Sequence, residues 1–455
     1  GYYSNDEFSI TSDSLFSYDN RLFSLKWNHT FSEKSSGSLI LNNSQYKFNI
    51  DYDGSENANF VQGFQINETE LKLKSTYLLN DSHKLGFGIA GKLYSILPGE
   101  IQPQSSSDLI SPKSIPKEKG LESAIFISDN FKVNDKLQLD LGMRYSFYAA
   151  MGPSIQRVSE EGVPKSDNTV IRTETYDNNE IFETYGGPEA RFSARYLLKE
   201  DLSVKASFNN MYQFIHTLSN NTTVSPIDTW KLSDKHIKPQ QAYQFSLGLY
   251  KNININEYEF SLEGFYKKQQ DILDFKTGAQ LLLNENVETE VLQGEGKAYG
   301  LEFLIRKNNG KLNGWLGYTY SRSLFKLDSE FNQERVNDGN FFPSNFDKPH
   351  DVSLVMNYKF SRRISMSSNF IYQTGRPVTF PVGNITFNGS NFVLYSDRNQ
   401  FRIPDYYRLD IGINFEGNHK IKKFAHSFWS FSVYNVLGRN NPYSVFFITQ
   451  EGEVK

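Results

Sequence analysis

The side chains able to do chemistry are scattered along this chain of 455 residues. Its histidines (His29, His83, His216, His236, His350, His419, His426) never stand in the close pair that a helical metal site needs, and there is no cysteine to help them. His350, in "DKPHD", reads as orienting the start of a strand rather than as a metal ligand or catalyst. The glycine-rich "GEGKAYG" (294–300) leads into a strand, not a helix, so it lacks the geometry that cradles a phosphate. Glu160, Glu161, Asp167, Asp177 and Glu180 gather in one polar loop, as a solvated surface or as a calcium site. No nucleophile elbow accompanies any Ser, His and Asp. The chain therefore reads as a non-enzyme with no cofactor and no metal. Better candidates are loop aromatics and arginines. Trp230, in "SPIDTWKLSDKHIKP", with Tyr176 and Tyr185, has the flat faces that stack on a ligand, and Arg376, Arg398 and Arg402 could engage an anion. The competing reading is that these residues pack loops on one another.

The elements that would carry them are strands. In "DVSLVMNYKFSRRISMSSNFIYQTGRP" (351–377), Val352, Leu354, Met356, Tyr358 and Phe360 alternate with Ser353, Asn357 and Lys359. After a short turn the alternation resumes through Ile364, Met366, Phe370 and Tyr372, which describes a long hairpin apolar on one face. The same pattern recurs in "RLFSLKWNHTF" with "GSLILNNSQYKFNIDY", "ETELKLKSTYLL" with "HKLGFGIAGKLYSIL", "ESAIFISDNFKV" with "KLQLDLGMRYSFYA", and "EARFSARYLL" with "LSVKASFNNMY". Downstream, "AYQFSLGLYKN" with "YEFSLEGFYKK", "YGLEFLIRK" with "KLNGWLGYTYSRS", and "YYRLDIGINF" with "SFWSFSVYNVL" repeat it. These make about sixteen strands of roughly 9–15 residues, well beyond the usual strand length of about 5–6. No helical period competes, so the fold class is all-β.

Composition agrees. Aromatic residues reach 15%, with 27 Tyr and 37 Phe, while all hydrophobic residues reach only 38%, and mean hydropathy is −0.54. A net charge of −4 without a basic run gives no reason to expect a nucleic-acid partner. No apolar stretch is long enough for a transmembrane helix. Connections are short at one end of the strands and long at the other, where loops span 98–117, 150–185, 213–238, 269–293, 324–348 and 374–403. That asymmetry matches a transmembrane antiparallel up-and-down β-barrel rather than a sandwich or propeller. Its apolar face would meet lipid, with aromatic girdles at the strand ends, and its polar face would line the lumen. Leu139, Leu141, Phe192, Ala194, Val352, Leu354, Leu409 and Ile411 are expected outside. Asp140, Arg144, Arg191, Arg195, Asp410 and Asn414 are expected inside, since Arg or Lys at mid-membrane costs roughly 2–4 kcal/mol.

Four stretches resemble the barrel of TonB-dependent outer-membrane receptors of the Bacteroidetes type: "YGLEFLIRKNNGKLNGWLGYTYSRS" (299–323), "FFPSNFDKPHDVSLVMNYKFSRRISMSSNFIYQTGRPVTFP" (341–381), "DRNQFRIPDYYRLDIGINF" (397–415) and "WSFSVYNVLGRNNPYSVFF" (429–447). The resemblance covers roughly residues 240–447. It implies a barrel of 22 strands closed by a plug, in a bacterial outer membrane, importing a scarce ligand such as a siderophore, metal chelate, glycan or peptide with energy passed through TonB. In those terms residues 1–455 are a partial barrel, about strands 6 to 21, with the plug and signal peptide outside this chain and residues 1–20 in an extracellular loop. Arg144, Arg191, Arg195 and Asp410 would face the lumen and plug, and the loop arginines would meet an anionic ligand or the plug. Implied partners are TonB through the plug, outer-membrane lipid and lipopolysaccharide; a SusD-like surface lipoprotein has less support. The alternatives are a passive porin and a structural outer-membrane subunit, but porins usually have about 16–18 strands.

Overall fold

The computed structural model describes residues 1–9, 12–54, 57–219, 228–254, 257–387, 390–417, 427–442, 449–450 and 453–454. His419 and His426 lie outside them. Among the described residues one antiparallel sheet of nineteen strands dominates. Two of these, Lys113–Ser114 and Phe342–Pro343, are two-residue pieces beside longer strands. The other seventeen follow chain order, each bonded to the next: Tyr2–Ser9, Ser14–Ser32, Ser35–Tyr52, Phe60–Leu78, His83–Pro103, Glu118–Lys132, Leu137–Met151, Ile181–Lys199, Leu202–Gln213, Gln240–Ile253, Tyr258–Phe275, Val291–Lys307, Leu312–Lys326, His350–Lys359, Ile364–Gln373, Tyr406–Glu416 and Phe428–Val433. This is an up-and-down wall with no crossovers. No described helix is long and apolar enough to cross a membrane, which says nothing against crossing by strands.

Pairing register assigns the faces, because directly paired residues share a side. One row runs Trp27, Leu39, Leu73, Ile89, Ile125 and Tyr145, and Trp27, Ile89 and Ile125 are more than half exposed. The row behind it runs Glu70, Lys92, Glu122, Tyr148 and Tyr185. Leu141 pairs with Phe192 and Leu139 with Ala194 on the outer side; Asp140 pairs with Ser193, Arg191 with Gly142 and Arg195 with Gln138 on the inner. Further on, Leu354 and Leu409 both flank Phe370, while Asp410 lies opposite Asn369 and Asn414 opposite Ser365.

A second outer row shows the tilt of the strands. It passes from Leu137 through Tyr196, Val204, Leu249, Leu262, Phe303, Tyr318, Val352 and Tyr372 to Tyr407. Leu137 sits beside a short turn, whereas Tyr407 sits at the long-loop end of its strand. A hydrogen-bonded row that climbs in this way means strands inclined to the membrane normal, as barrel geometry requires. Close approach also constrains single positions. Gly314 takes φ +147, and a Cβ there would lie 2.0 Å from the Val355 carbonyl oxygen.

The four strands from Ser14–Ser32 to His83–Pro103 reach 18–21 residues, about twice what a tilted strand needs to cross hydrocarbon. Their outer face records the excess: Leu39 and Leu41 give way to Asn43, Gln45, Lys47, Asn49 and Asp51 along one strand. The upper half therefore stands above the membrane as a polar wall.

The expected count of about sixteen strands is met by seventeen in chain order among the described residues, and two other expectations change. Residues 1–20 are not a loop, because Tyr2–Ser9 pairs with Leu15–Leu22 in a hairpin. The final segment stops at Val433 rather than Leu437, because Asn435 adopts φ +53 and turns the chain.

A paired substitution checks the facing. In the full-length protein, Leu247→Arg should destabilise the folded barrel by about 2–4 kcal/mol, whereas Ser246→Arg, one residue along and on the lumen side, should cost less than about 1 kcal/mol. Urea titration in lipid vesicles reads both; equal costs would contradict the assignment.

Candidate functional site

The inner wall carries its own core at the long-loop end. Phe16, Phe48, Phe64, Ile66, Tyr94, Ile96 and Tyr148 are buried there with Phe214 and Leu232. The last two belong to the 213–238 loop, whose strands Ile215–Ser219 and Asp228–Leu232 form a hairpin. Burying those rings folds the loop back against the lumen wall instead of leaving it in solvent.

Charge then fixes the hairpin. The Lys231 ammonium lies 2.7 Å from Glu118 of the wall and 2.8 Å from Asp234. The second Glu118 oxygen accepts the Leu232 N–H at 2.7 Å. Asp234 also accepts the backbone N–H groups of His236 and Ile237, at 2.8 and 3.0 Å. Burial alone would lower the pKa of Lys231, but Asp234 and Glu118 push it well above the usual lysine range. Two wall tyrosines complete the attachment: Tyr148 donates to the Ser233 carbonyl at 3.1 Å and Tyr185 to the Asp234 carbonyl at 2.7 Å. His216 is fully buried against the Ser233 hydroxyl, 2.9 Å away. Burial lowers its pKa to about 4, against an opposing pull from Asp234 and with a smaller push in the same direction from Lys231.

Neighbouring loops join this block. The 150–185 loop contains a hairpin of Ser154–Ser159 with Val170–Tyr176. Arg157 ties it to Glu288 at 2.6 Å and to Asp167 at 2.7 Å, and Lys235 reaches Glu174 at 2.6 Å. Between them lies a cavity of about 180 Å³ lined in part by Glu118, Gln156, Arg157, Lys231, Asp234 and His236.

The ligand candidates divide between two places. Tyr176, Tyr185 and Trp230 belong to this block. Tyr176 donates to Glu174 at 2.7 Å, stacks on Phe182 at 5.1 Å and lies under the Lys235 ammonium at 4.8 Å. Trp230 packs on Phe64 at 6.3 Å, and its buried Nε1–H has no acceptor among the described residues. The arginines belong to the other place. Arg398 is held by Asp274 at 3.2 Å, by the Phe275 carbonyl at 3.0 Å and over the Phe275 ring at 4.4 Å. The Arg376 carbonyl accepts the Ile403 N–H at 3.1 Å. Arg402 donates to the Gly375 carbonyl at 2.9 Å and pairs with Asp347. The loops 150–185, 213–238 and 374–403 thus do not converge on one spot; 269–293 stands between them.

Of the lumen candidates, Arg144 is bound to Glu122 at 3.0 Å and lies 3.7 Å from Glu189. Asp410 accepts from Arg408 at 2.7 Å and from the Asn435 N–H at 2.8 Å. Arg191 and Arg195 instead line two basins of about 550 and 490 Å³ towards the short-turn end. The loop acids do not form a cation site: Asp167 is taken by Arg157, Glu180 accepts the Asp177 N–H at 2.7 Å, and among the described residues no group of three such side chains could hold a metal. The Lys231 cluster escaped sequence reading because Glu118 lies 113 residues away; the Lys231–Asp234 spacing beside Trp230 was its one local signal.

Lys231→Met should strand two buried carboxylates and cost the docked hairpin about 3–5 kcal/mol, read as new protease cleavage within 213–238. A second expectation concerns pH. The folded pKa of His216 lies below its unfolded value, so docking is fully stabilised above about pH 6.5 and loses stability as pH falls towards 4. Protection factors for amide exchange across 215–219, taken against the intrinsic rate at each pH, should fall over that window, and His216→Gln should flatten the response.

Comparison with curated protein sequences finds no match. Among solved structures, the ferric-catecholate import receptor Fiu from K12 E. coli is similar, with TM-score 0.58 at 13% identity, covering 94% of this chain and 61% of that one. The Pseudomonas aeruginosa outer-membrane ferripyoverdine receptor gives 0.60 at 14% identity, covering 96% and 61%. The copper transporter OprC gives 0.62 at 11% identity, covering 97% and 68%. This chain spans about six-tenths of the length of the first two receptors, and at such identities the likeness establishes the fold. The sequence profile described as "TonB dependent receptor-like, beta-barrel" matches residues 1–436, and the chain belongs to that family of bacterial outer-membrane barrels.

Proposed function

We propose that the chain is barrel wall and loops of an active importer, driven through TonB, of the Bacteroidetes branch that its strand phrases resemble. Its ligand is a scarce siderophore or metal chelate. The ligand class rests on the neighbours' descriptions as a ferric-catecholate import receptor, a ferripyoverdine receptor and a copper transporter. The observation that carries active import over passive diffusion is the hairpin pinned across the inner wall by Lys231, Glu118 and Asp234. That loop narrows the lumen, and the family match over residues 1–436 supports active import over a passive pore.

In this reading the ligand meets the block that holds Tyr176, Tyr185 and Trp230. Arg376 and Arg398 stabilise the neighbouring loops, since Arg398 is already committed to Asp274. A plug would meet the lumen face beside Arg191 and Arg195. Arg144 and Asp410 contribute by stiffening the wall that faces it. Charge-assisted hydrogen bonds of about 1.5–3 kcal/mol each would hold the plug at rest and yield one after another under pulling.

Uptake of a ferric siderophore by cells with and without TonB tests the reading. Loss of uptake on removing TonB is expected; unchanged uptake would make the protein a diffusion channel. Trp230→Ala with Tyr176→Ala should weaken uptake affinity roughly tenfold, about 1.4 kcal/mol, while the heat-resistant barrel still assembles.

A further inference from the structure

Two ion-paired clusters in the loop block border the same cavity, and each sets one cation against two carboxylates. Lys231 is shared by Glu118 and Asp234. Arg157 is shared by Glu288 and Asp167. Both cations, with Glu118, Asp234 and Glu288, line the cavity of about 180 Å³. Each cluster therefore carries an excess of negative charge.

Beside each cluster stands an acceptor that meets no donor. Gln156, next to Arg157, is only 6% exposed and lines the cavity. Its Nε2 donates to the Ser154 hydroxyl at 2.8 Å, but its Oε1 has no partner among the described residues. His236, beside the Lys231 cluster, also lines the cavity, and its Nε2 is unpartnered in the same sense. Burial holds that imidazole below its usual pKa, against a pull from Asp234. The ring is therefore neutral at neutral pH, and one bare nitrogen can accept. A buried acceptor without a donor is costly, and here two of them share one cavity. Ile155, Phe182 and Leu232 add apolar wall. Of the remaining charges on the lining, Lys117 and Glu285 are exposed and of opposite sign, and Lys119 is turned to Asn178 at 2.6 Å.

We infer that this cavity binds a short linear diamine. One ammonium donates to Gln156 Oε1 beside the Arg157 cluster, and the other to His236 Nε2 beside the Lys231 cluster. The methylenes lie against Ile155, Phe182 and Leu232. A dication supplies the missing donors and offsets the excess charge at both ends, which a carboxylate or phosphate does not. The volume holds about six water-sized groups, which suits putrescine rather than a long polyamine. Bound there, the diamine ties the 150–185 loop, through Gln156, to the 213–238 loop, through His236. The inference depends neither on drive through TonB nor on which ligand is imported.

The test uses full-length protein in detergent at about 0.15 M salt, where exposed charges are largely screened. Putrescine, its uncharged isostere 1,4-butanediol and the dianion succinate are titrated separately by isothermal calorimetry. Putrescine should bind at least roughly tenfold more tightly than the diol, because charged donors make the stronger hydrogen bonds, and succinate should not bind. Putrescine should also slow protease cleavage within 150–185 and 213–238. Gln156→Leu should weaken putrescine binding roughly fivefold or more, whereas Gln156→Glu, which adds charge at the same place, should tighten it. Lys205→Gln, on the lumen wall, should leave binding unchanged. The series of three small molecules on the parent protein decides the matter even where a variant fails to fold. Equal binding of putrescine and the diol, binding of succinate, a cavity that takes up water only, or the two Gln156 variants shifting affinity in the same direction would each overturn the proposal.

Discussion

Hydrocarbon offers the backbone no hydrogen-bond partner, and that constraint shapes the whole molecule. Each N–H and C=O of a membrane-crossing strand must be met by a neighbouring strand. Pairing each strand with the next in sequence satisfies this with the shortest connections, and among the described residues the large sheet is wired in that way. Once the ladder is set, side chains alternate strictly, so one register determines both what lipid touches and what the lumen contains. The Trp27-to-Tyr145 row and the Glu70-to-Tyr185 row are two sides of one decision.

The lumen face then has charge to dispose of. Near the long-loop end the wall meets this by turning aromatic and by drawing a loop onto itself. The rings of Phe48, Phe64 and Tyr148 supply apolar area, and Glu118 supplies a carboxylate that needs a cation. Lys231 answers that need while carrying Trp230 into the aromatic cluster. Neither contribution suffices alone: a buried ion pair repays its desolvation only with good geometry and further hydrogen bonds. Here the Leu232, His236 and Ile237 N–H groups provide those bonds.

Alternation of period two made the strands and their faces legible in the sequence, since the chain repeats it with tight turns between. Strand ends were less legible. Above the membrane the outer face turns polar at Asn43 and Gln45, so hydropathy stops marking a strand whose pairing continues. For the same reason the polar start of the chain read as a loop although it pairs with Leu15–Leu22. Site residues were legible by type but not by commitment. Arg398 looked available for an anion; its partner Asp274 lies 124 residues away and gives no local sign of the pairing. Tyr185 and Trp230 looked like loop aromatics free to stack on a ligand, yet one reaches the Asp234 carbonyl and the other joins the core. Long-range pairing decides these cases, and it depends on a barrel register that spacing alone does not reveal.

The same register explains why the loops form two blocks rather than one canopy. Tyr258–Phe275 climbs beyond the membrane and ends with Asp274 and Phe275 between the blocks. On one side the buried Leu273 packs with Leu218 and Ile237 of the pinned hairpin. On the other, Asp274 and the Phe275 ring hold Arg398, whose backbone N–H is in turn held by Asn337 at 2.8 Å. Lys276 adds a bridge to Glu334 at 2.9 Å. The first block is fastened through a desolvated lysine and two tyrosines. The second is fastened through arginines to single carboxylates and to backbone carbonyls. Both blocks are therefore anchored on the same strand top, the first through Leu273 and the second through Asp274 and Phe275.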